Sequence, residues 1–336
     1  TYNSTLNIAS TRLLYGQDPP GYDVRLSLDL MLQQEADSFL GEYIGAAVVL
    51  NTESGEILAM ATSPTFDANL LDEQWADWME DESAPLLNRA TQALYPPGAT
   101  TGGILLARFL SSHTLSSSVP EYNWSTNPNS EFFCAINPGR NNTWGELISA
   151  GCVKSLTTIS RSSTPSDTLD LYREIGLFQP LQLPLESSQS VEVQEIKSYT
   201  SLFTGDAGIL VSPLQVAIMG STLSNNGRVI TPQIAMAYKK PDNNWNLINV
   251  SASSTIVNNF KAEKAVSYLT NGDLPGWEIS SLASHEEASI SWYVAGTPAN
   301  WLGTPITLVV ALEDGSPLDA RKIGQELFQS ATTCVD

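Results

Sequence analysis

Gly45-Ala46-Ala47-Val48-Val49-Leu50, then Asn51-Thr52-Glu53-Ser54-Gly55, then Glu56-Ile57-Leu58-Ala59-Met60-Ala61 is the stretch on which the fold turns. Two apolar runs of strand length, separated by turn-forming residues, read as a β-hairpin. Neither run alternates with polar residues, so both faces of these strands are to be buried. That requires helices on both sides of the sheet.

Upstream, Val24-Arg25-Leu26-Ser27-Leu28 alternates like a strand, and Asp29 can cap a helix that places Leu32, Ala36, Phe39 and Leu40 on one face. Residues 1–20 are polar, end in Asp18-Pro19-Pro20, and read as a linker from a preceding domain. Because the first residue is Thr1 rather than Met, the expectation is a cut or mature piece of a longer chain.

Downstream, residues 85–226 read as mostly helical with long polar loops. The Ser-, Asn- and Pro-rich segment 111–138 is irregular, Leu147 to Ile159 has helical spacing, and a short helix from Leu169 ends at Gly176. Another helix runs from Pro213 to Leu223, before Asn225-Asn226-Gly227. Ser289 to Ala295 and Ile306 to Leu312 read as strands, and a closing helix covers 317–331 with Ile323, Leu327 and Phe328 on one side. Strands near both ends of the chain thus flank a helical middle.

The charge balance excludes whole classes of partner. With 36 acidic against 16 basic residues the net charge is −20, which opposes both polyphosphate backbones and anionic lipid head groups. No run approaches the roughly 18 apolar residues that span a bilayer, and no signal peptide is visible. His113 and His285 are far apart and no CxxC pair occurs, so a metal site is not expected. Cys134 and Cys152 read either as a disulfide closing a short loop or as two buried thiols, and Cys334 has no evident mate.

Several segments in order resemble the penicillin-binding protein transpeptidase domain. They are Asp23 to Asp29, the hairpin, Ser63-Pro64-Thr65-Phe66-Asp67 with Asn69, and Pro85-Leu86-Leu87-Asn88-Arg89-Ala90. Tyr95-Pro96-Pro97-Gly98, Gly208 to Ala217, Asn226-Gly227 with Thr231-Pro232, and Ser291-Trp292-Tyr293-Val294-Ala295-Gly296 with Pro298 continue the series to about residue 330. The resemblance implies an α/β (α+β) fold of the β-lactamase/transpeptidase type: a mainly antiparallel sheet covered by helices on both faces, with a largely helical subdomain inserted. The expected division is a linker at 1–20 and one domain at 21–336. Its sheet subdomain takes about 21–90 and 228–336, and its helical subdomain about 91–227.

Members of that family attack a peptide carbonyl with a serine that needs an adjacent base and an oxyanion hole. Serine and lysine three residues apart on a helix start project into one cleft, and a Ser-x-Asn and a Lys-Thr-Gly motif complete the relay. Here the serine position after Tyr95-Pro96-Pro97-Gly98 is Ala99 and the lysine position is Gly102. The Gly102-Gly103 pair also weakens a helix. The second motif falls on Gly151-Cys152-Val153. The third falls in Ser281-Leu282-Ala283-Ser284-His285-Glu286-Glu287, centred on Ser284, a window with no Lys or Arg and two acids that would repel a substrate carboxylate. No catalytic residue is therefore assigned. Ala99, Gly102, Gly151, Val153 and Ser284 mark the degenerate positions.

Three readings compete. The first is an inactive scaffold or regulator in peptidoglycan synthesis. The second is a module that holds wall peptide without cutting it. The third is a residual D,D-transpeptidase or carboxypeptidase with a relocated nucleophile, for which Thr100, Thr101 or a group around His285 are the available residues. The resemblance further implies no cofactor and an extracytoplasmic location. It implies partners among cell-wall, division or elongation proteins, with peptidoglycan peptide as a further ligand, no nucleic acid, and membrane attachment only through an N-terminal anchor outside this sequence. The aromatic and acidic stretch from Trp75 to Glu82 reads as a solvated loop or amphipathic helix, or as a partner-binding surface.

Overall fold

The computed structural model describes residues 22–110, 119, 122–139, 141, 143–161, 163–240, 243–248, 253–270, 274–285 and 288–333. The expected linker at 1–20, His113, Glu286, Glu287, Cys334 and part of the 111–138 segment lie outside the described residues.

In chain order the elements begin with β1 (Val24–Leu26), α1 (Leu30–Leu40), β2 (Gly45–Asn51), β3 (Ile57–Ser63), α2 (Leu71–Glu80) and α3 (Gly102–Phe109). The helical stretch continues with α4 (Trp144–Ser149), α5 (Val153–Ser160), α6 (Pro165–Ile175), α7 (Tyr199–Thr204) and α8 (Pro213–Ser224). Then come β4 (Arg228–Val229), β5 (Ala235–Lys239), β6 (Trp245–Leu247), β7 (Ser254–Thr255) and α9 (Asn259–Leu269). The chain closes with β8 (Trp277–His285), β9 (Ala288–Gly296), β10 (Ile306–Glu313) and α10 (Pro317–Thr333).

The hairpin forms as read: β2 pairs antiparallel with β3, Val48 opposite Met60. It joins the C-terminal strands in a five-stranded sheet of order β3-β2-β10-β9-β8, antiparallel throughout. Successive side chains of a strand point to opposite faces, and the two cores follow from that alternation. Val48 and Leu50 of β2, with Val309 and Ala311 of β10, face a core shared with the helices of the middle segment. Ala47 and Val49, with Leu308 and Val310, face a second core closed by Leu32, Ala36 and Leu40 of α1 and by Ile323, Leu327 and Phe328 of α10. Asp29 Oδ1 accepts from the N–H groups of Met31 and Leu32, which fixes the start of α1.

Every residue of α8 is buried, as a helix apolar on all sides must be. Its start is closed by a capping box in which Ser212 and Gln215 bond each other's backbone N–H. The helical spacing of 147–159 resolves into two helices, because Gly151 takes a left-handed φ of +66° and breaks the chain between α4 and α5. The strand β1 is also shorter than the alternation suggests, and it belongs to a separate sheet of order β1-β5-β6. Among the described residues no helix is long and apolar enough to cross a membrane.

A filled cleft between α3, α5 and the edge strand β8

The approach to the expected nucleophile is held by a polar network. Tyr95 exchanges two backbone hydrogen bonds with Val211, both 2.9 Å. Its hydroxyl donates to Glu313 Oε1 at 2.5 Å, and Arg89 Nε donates to the same oxygen at 2.9 Å. Arg89 is buried and also donates to the carbonyls of Ser83 and Ala84. Burial first, then the bond to Glu313, holds the Tyr95 phenol far above its ordinary pKa. Trp292 Nε1–H donates to the Pro96 carbonyl at 3.0 Å, and its ring meets Tyr95 edge-on.

Immediately afterwards the chain makes a 3-10 turn, Gly98–Thr101, and runs into α3. The structure brings the three motif regions together here. The Ala99 N–H donates to Ser281 Oγ of β8 at 2.9 Å. A Cβ placed on Gly151 would lie 2.3 Å from the Ser280 carbonyl oxygen and 3.2 Å from Ala135 Cβ. Ala99 and Gly151 thus meet Ser281 and Ser280, Gly102 faces Leu156 and Ile148, and Val153 N–H bonds Phe133 O, whereas Ser284 sits further along β8, exposed, beside Gly205.

The nearest neighbours of Gly102 are hydrocarbon. A Cβ on Gly102 would lie 2.5 Å from Leu156 Cδ2 and 3.3 Å from Ile148 Cγ2. The helix therefore forms despite its two glycines: Gly102 lets α3 close on α4 and α5, and Gly103 lets it close on Leu223 of α8, Ile279 of β8 and Leu269 of α9. Ala99 is 1% exposed, and Gly102, Gly151 and Val153 are also buried. Thr100 and Thr101 are buried too, and their hydroxyls donate to the Pro97 and Gly98 carbonyls. His285 ends β8, and Glu286 and Glu287 fall beyond the description.

Of the two states the sequence allows for Cys134 and Cys152, the structure has the disulfide, with both residues buried. It joins two segments already bonded through Val153 N–H to Phe133 O (3.0 Å) and Ile136 N–H to Ala150 O (3.3 Å). The bridge therefore pins the segment that carries Ala135 against the one that carries Gly151, beside the edge of β8. Among the described residues no cluster of His, Cys, Asp and Glu is suited to a metal ion.

Ser281 opens the window expected for the third motif, whereas Ser280, Ala135 and Leu156 were not legible as site residues. For the two serines a signal existed. The alternation that pairs Ser289 to Ala295 as a strand continues on its neighbour, where Ser280 stands opposite Tyr293 and Ser281 opposite Trp292. For Leu156 and Ala135 there is none, since each meets the site only through tertiary packing.

Comparison with known proteins gives one answer. Residues 45–329 match the family described as penicillin binding protein transpeptidase domain. The peptidoglycan D,D-transpeptidase PbpA of Mycolicibacterium smegmatis is 25% identical over 341 residues, covering 89% of this chain and 69% of that protein. Penicillin-binding protein A from M. tuberculosis, solved as an imipenem acyl-enzyme complex, superposes with a TM-score of 0.79 at 22% identity, over 98% of this chain and 83% of that one. Penicillin-binding protein PBP2 of Helicobacter pylori, solved in complex with MreC, gives a TM-score of 0.68 at 19% identity, over 91% of this chain and 64% of that one.

Proposed function

The chain belongs to the penicillin-binding protein transpeptidase domain family, and from that premise we propose that it serves peptidoglycan synthesis as a catalytically inactive scaffold or regulator. One observation carries the reading. The place where a nucleophile and its base would stand is packed shut, with Ala99 1% exposed and Leu156 Cδ2 2.5 Å from where a side chain at 102 would begin. A nucleophilic serine mechanism needs a hydroxyl, a base within hydrogen-bond reach and room for the acyl group. Ala99 and Gly102 supply neither of the first two, and the packing of α3 against α5 opposes the third.

The same geometry speaks against a peptide-holding module. An extended peptide adds to the open edge of a sheet through main-chain hydrogen bonds. In this chain Gly151, backed by the Cys134–Cys152 bridge, stands against that edge at Ser280. The buried disulfide supports an extracytoplasmic location, since such bonds persist in oxidising compartments. That the H. pylori relative was solved with MreC supports a protein of wall elongation as partner.

The test is incubation with a fluorescent penicillin followed by intact-mass measurement, with an acylating relative as positive control. The expected result is the unmodified mass. A stoichiometric covalent adduct overturns the proposal. Titration with muropeptides is the second arm, and saturable binding there would establish the peptide-holding alternative instead.

A further inference from the structure

The helix α2 reads Leu71-Asp72-Glu73-Gln74-Trp75-Ala76-Asp77-Trp78-Met79-Glu80, and it buries none of its residues fully. Trp78 turns inward and packs on Phe66, ring centroids 5.3 Å apart. Leu71, Trp75 and Met79, four residues apart, form one stripe on the outer side, 37%, 51% and 62% exposed. A tryptophan and a methionine left open side by side on a helix make a contiguous apolar patch of the kind that marks an interaction surface.

Side-chain hydrogen bonds close the turns on either side of α2. Asp67 accepts from Asn69 N–H ahead of α2, and Asp81 Oδ1 accepts from both the N–H and the hydroxyl of Ser83 behind it. The carbonyls of Ser83 and Ala84 are in turn bonded by buried Arg89. A fixed aromatic loses little conformational freedom on docking, which is what makes Trp so common among residues that dominate binding.

Charge selects the occupant. Asp72, Glu73, Asp77, Glu80, Asp81 and Glu82 neighbour the stripe along the chain, and no Lys or Arg occurs between Arg25 and Arg89. Arg89 itself is buried against Glu313. Such a rim repels anionic lipid, and it repels a second copy of a chain with net charge −20. It attracts an apolar groove or helix face bordered by Lys and Arg, docking in the manner of an amphipathic helix laid into a groove.

We propose that α2 is a docking helix that inserts Leu71, Trp75 and Met79 into an apolar, Lys/Arg-bordered surface of a partner protein. This does not rest on the inactive-scaffold reading.

The test uses the full chain and a fluorescein-labelled helical peptide with Leu on one face and Lys on the other, followed by anisotropy. Saturable binding is expected, weakened about tenfold or more by Trp75→Ala with Met79→Ala. It should also weaken when salt is raised about tenfold, and vanish when the peptide carries Glu in place of Lys. Phe260→Ala, which removes another exposed aromatic, should leave it unchanged. Unchanged thermal melts establish that each variant is folded. Equal affinity in the double variant, or no saturable binding by the parent chain, overturns the proposal. So does sedimentation showing a dimer that the double variant dissolves, or binding to anionic vesicles that depends on Trp75.

Discussion

Residues 89–97 and residues 98–103 adjoin in sequence and in space, yet they are held by opposite means. The first stretch is organised by directed polar contacts: Arg89 and Tyr95 on one oxygen of Glu313, Trp292 on the Pro96 carbonyl. The second is organised by close packing of residues with little or no side chain against Leu156, Ile148 and β8. Polar contacts of the first kind are fragile to removal, because a stranded partner stays buried. Packing of the second kind is fragile to addition, because a dense interior has no slack. Two stretches that adjoin can thus answer to opposite kinds of change.

Restoring a lysine breaks the contrast hardest. Gly102→Lys drives a side chain into Leu156 and strands an ammonium among apolar groups, and we expect a loss of about 4 kcal/mol or more in urea unfolding. Adding Leu156→Ala should recover part of it, and full tolerance of the lysine would mean that the cleft is open. On the polar side, Arg89→Met leaves the Ser83 and Ala84 carbonyls without their donor and Glu313 with Tyr95 alone, for an expected loss of about 3 kcal/mol. Replacing Cys134 and Cys152 together by Ala releases an 18-residue loop, with an expected loss also near 3 kcal/mol. The measurement is unfolding of parent and variant under oxidising conditions, and equal stability would remove the bridge from the account.

Alkaline pH tests the polar side more gently. The folded Tyr95 phenol is raised above its ordinary value of 10.0, so its contribution is complete below pH 10 and is lost as pH climbs beyond it. The expected signature is a decline in stability above pH 10 of at most about 1.4 kcal/mol per pH unit from this group. Tyr95→Phe should flatten the decline, and an unchanged slope would exclude Tyr95 as its source. The smallest effect is Ser281→Ala, which leaves the Ala99 N–H unpaired and should lower stability by about 1 kcal/mol.

What could be read from the sequence is what local pattern determines. The hairpin, the apolar face of α1, the capped start of α8 and the stripe of α10 each depend on residues within a few positions of one another. The strand β8 was not legible as a strand. Its Glu278 looks out of place until Tyr293, Arg321 and Gln325 are seen to bond it in the interior. The break between α4 and α5 was missed because helical spacing ran through a glycine whose left-handed backbone answers to Ser280 across the cleft. At the site, the small residues Ala99 and Gly102 were legible, but what packs against Gly102 was not, since Leu156 arrives from another helix.

The order of the sheet sets a timetable for making the molecule. β10 lies between β2 and β9, with Asn51 opposite Ile306. The hairpin that opens the fold must therefore wait, one apolar edge unpaired, until almost the whole chain has been synthesised. Loop closure over such separations is slow, and an open hydrophobic edge is an invitation to mispairing. A chain interrupted before residue 306 leaves the second edge of β2 unpaired, so we expect such nascent fragments to need a chaperone rather than to fold as a smaller version of the domain.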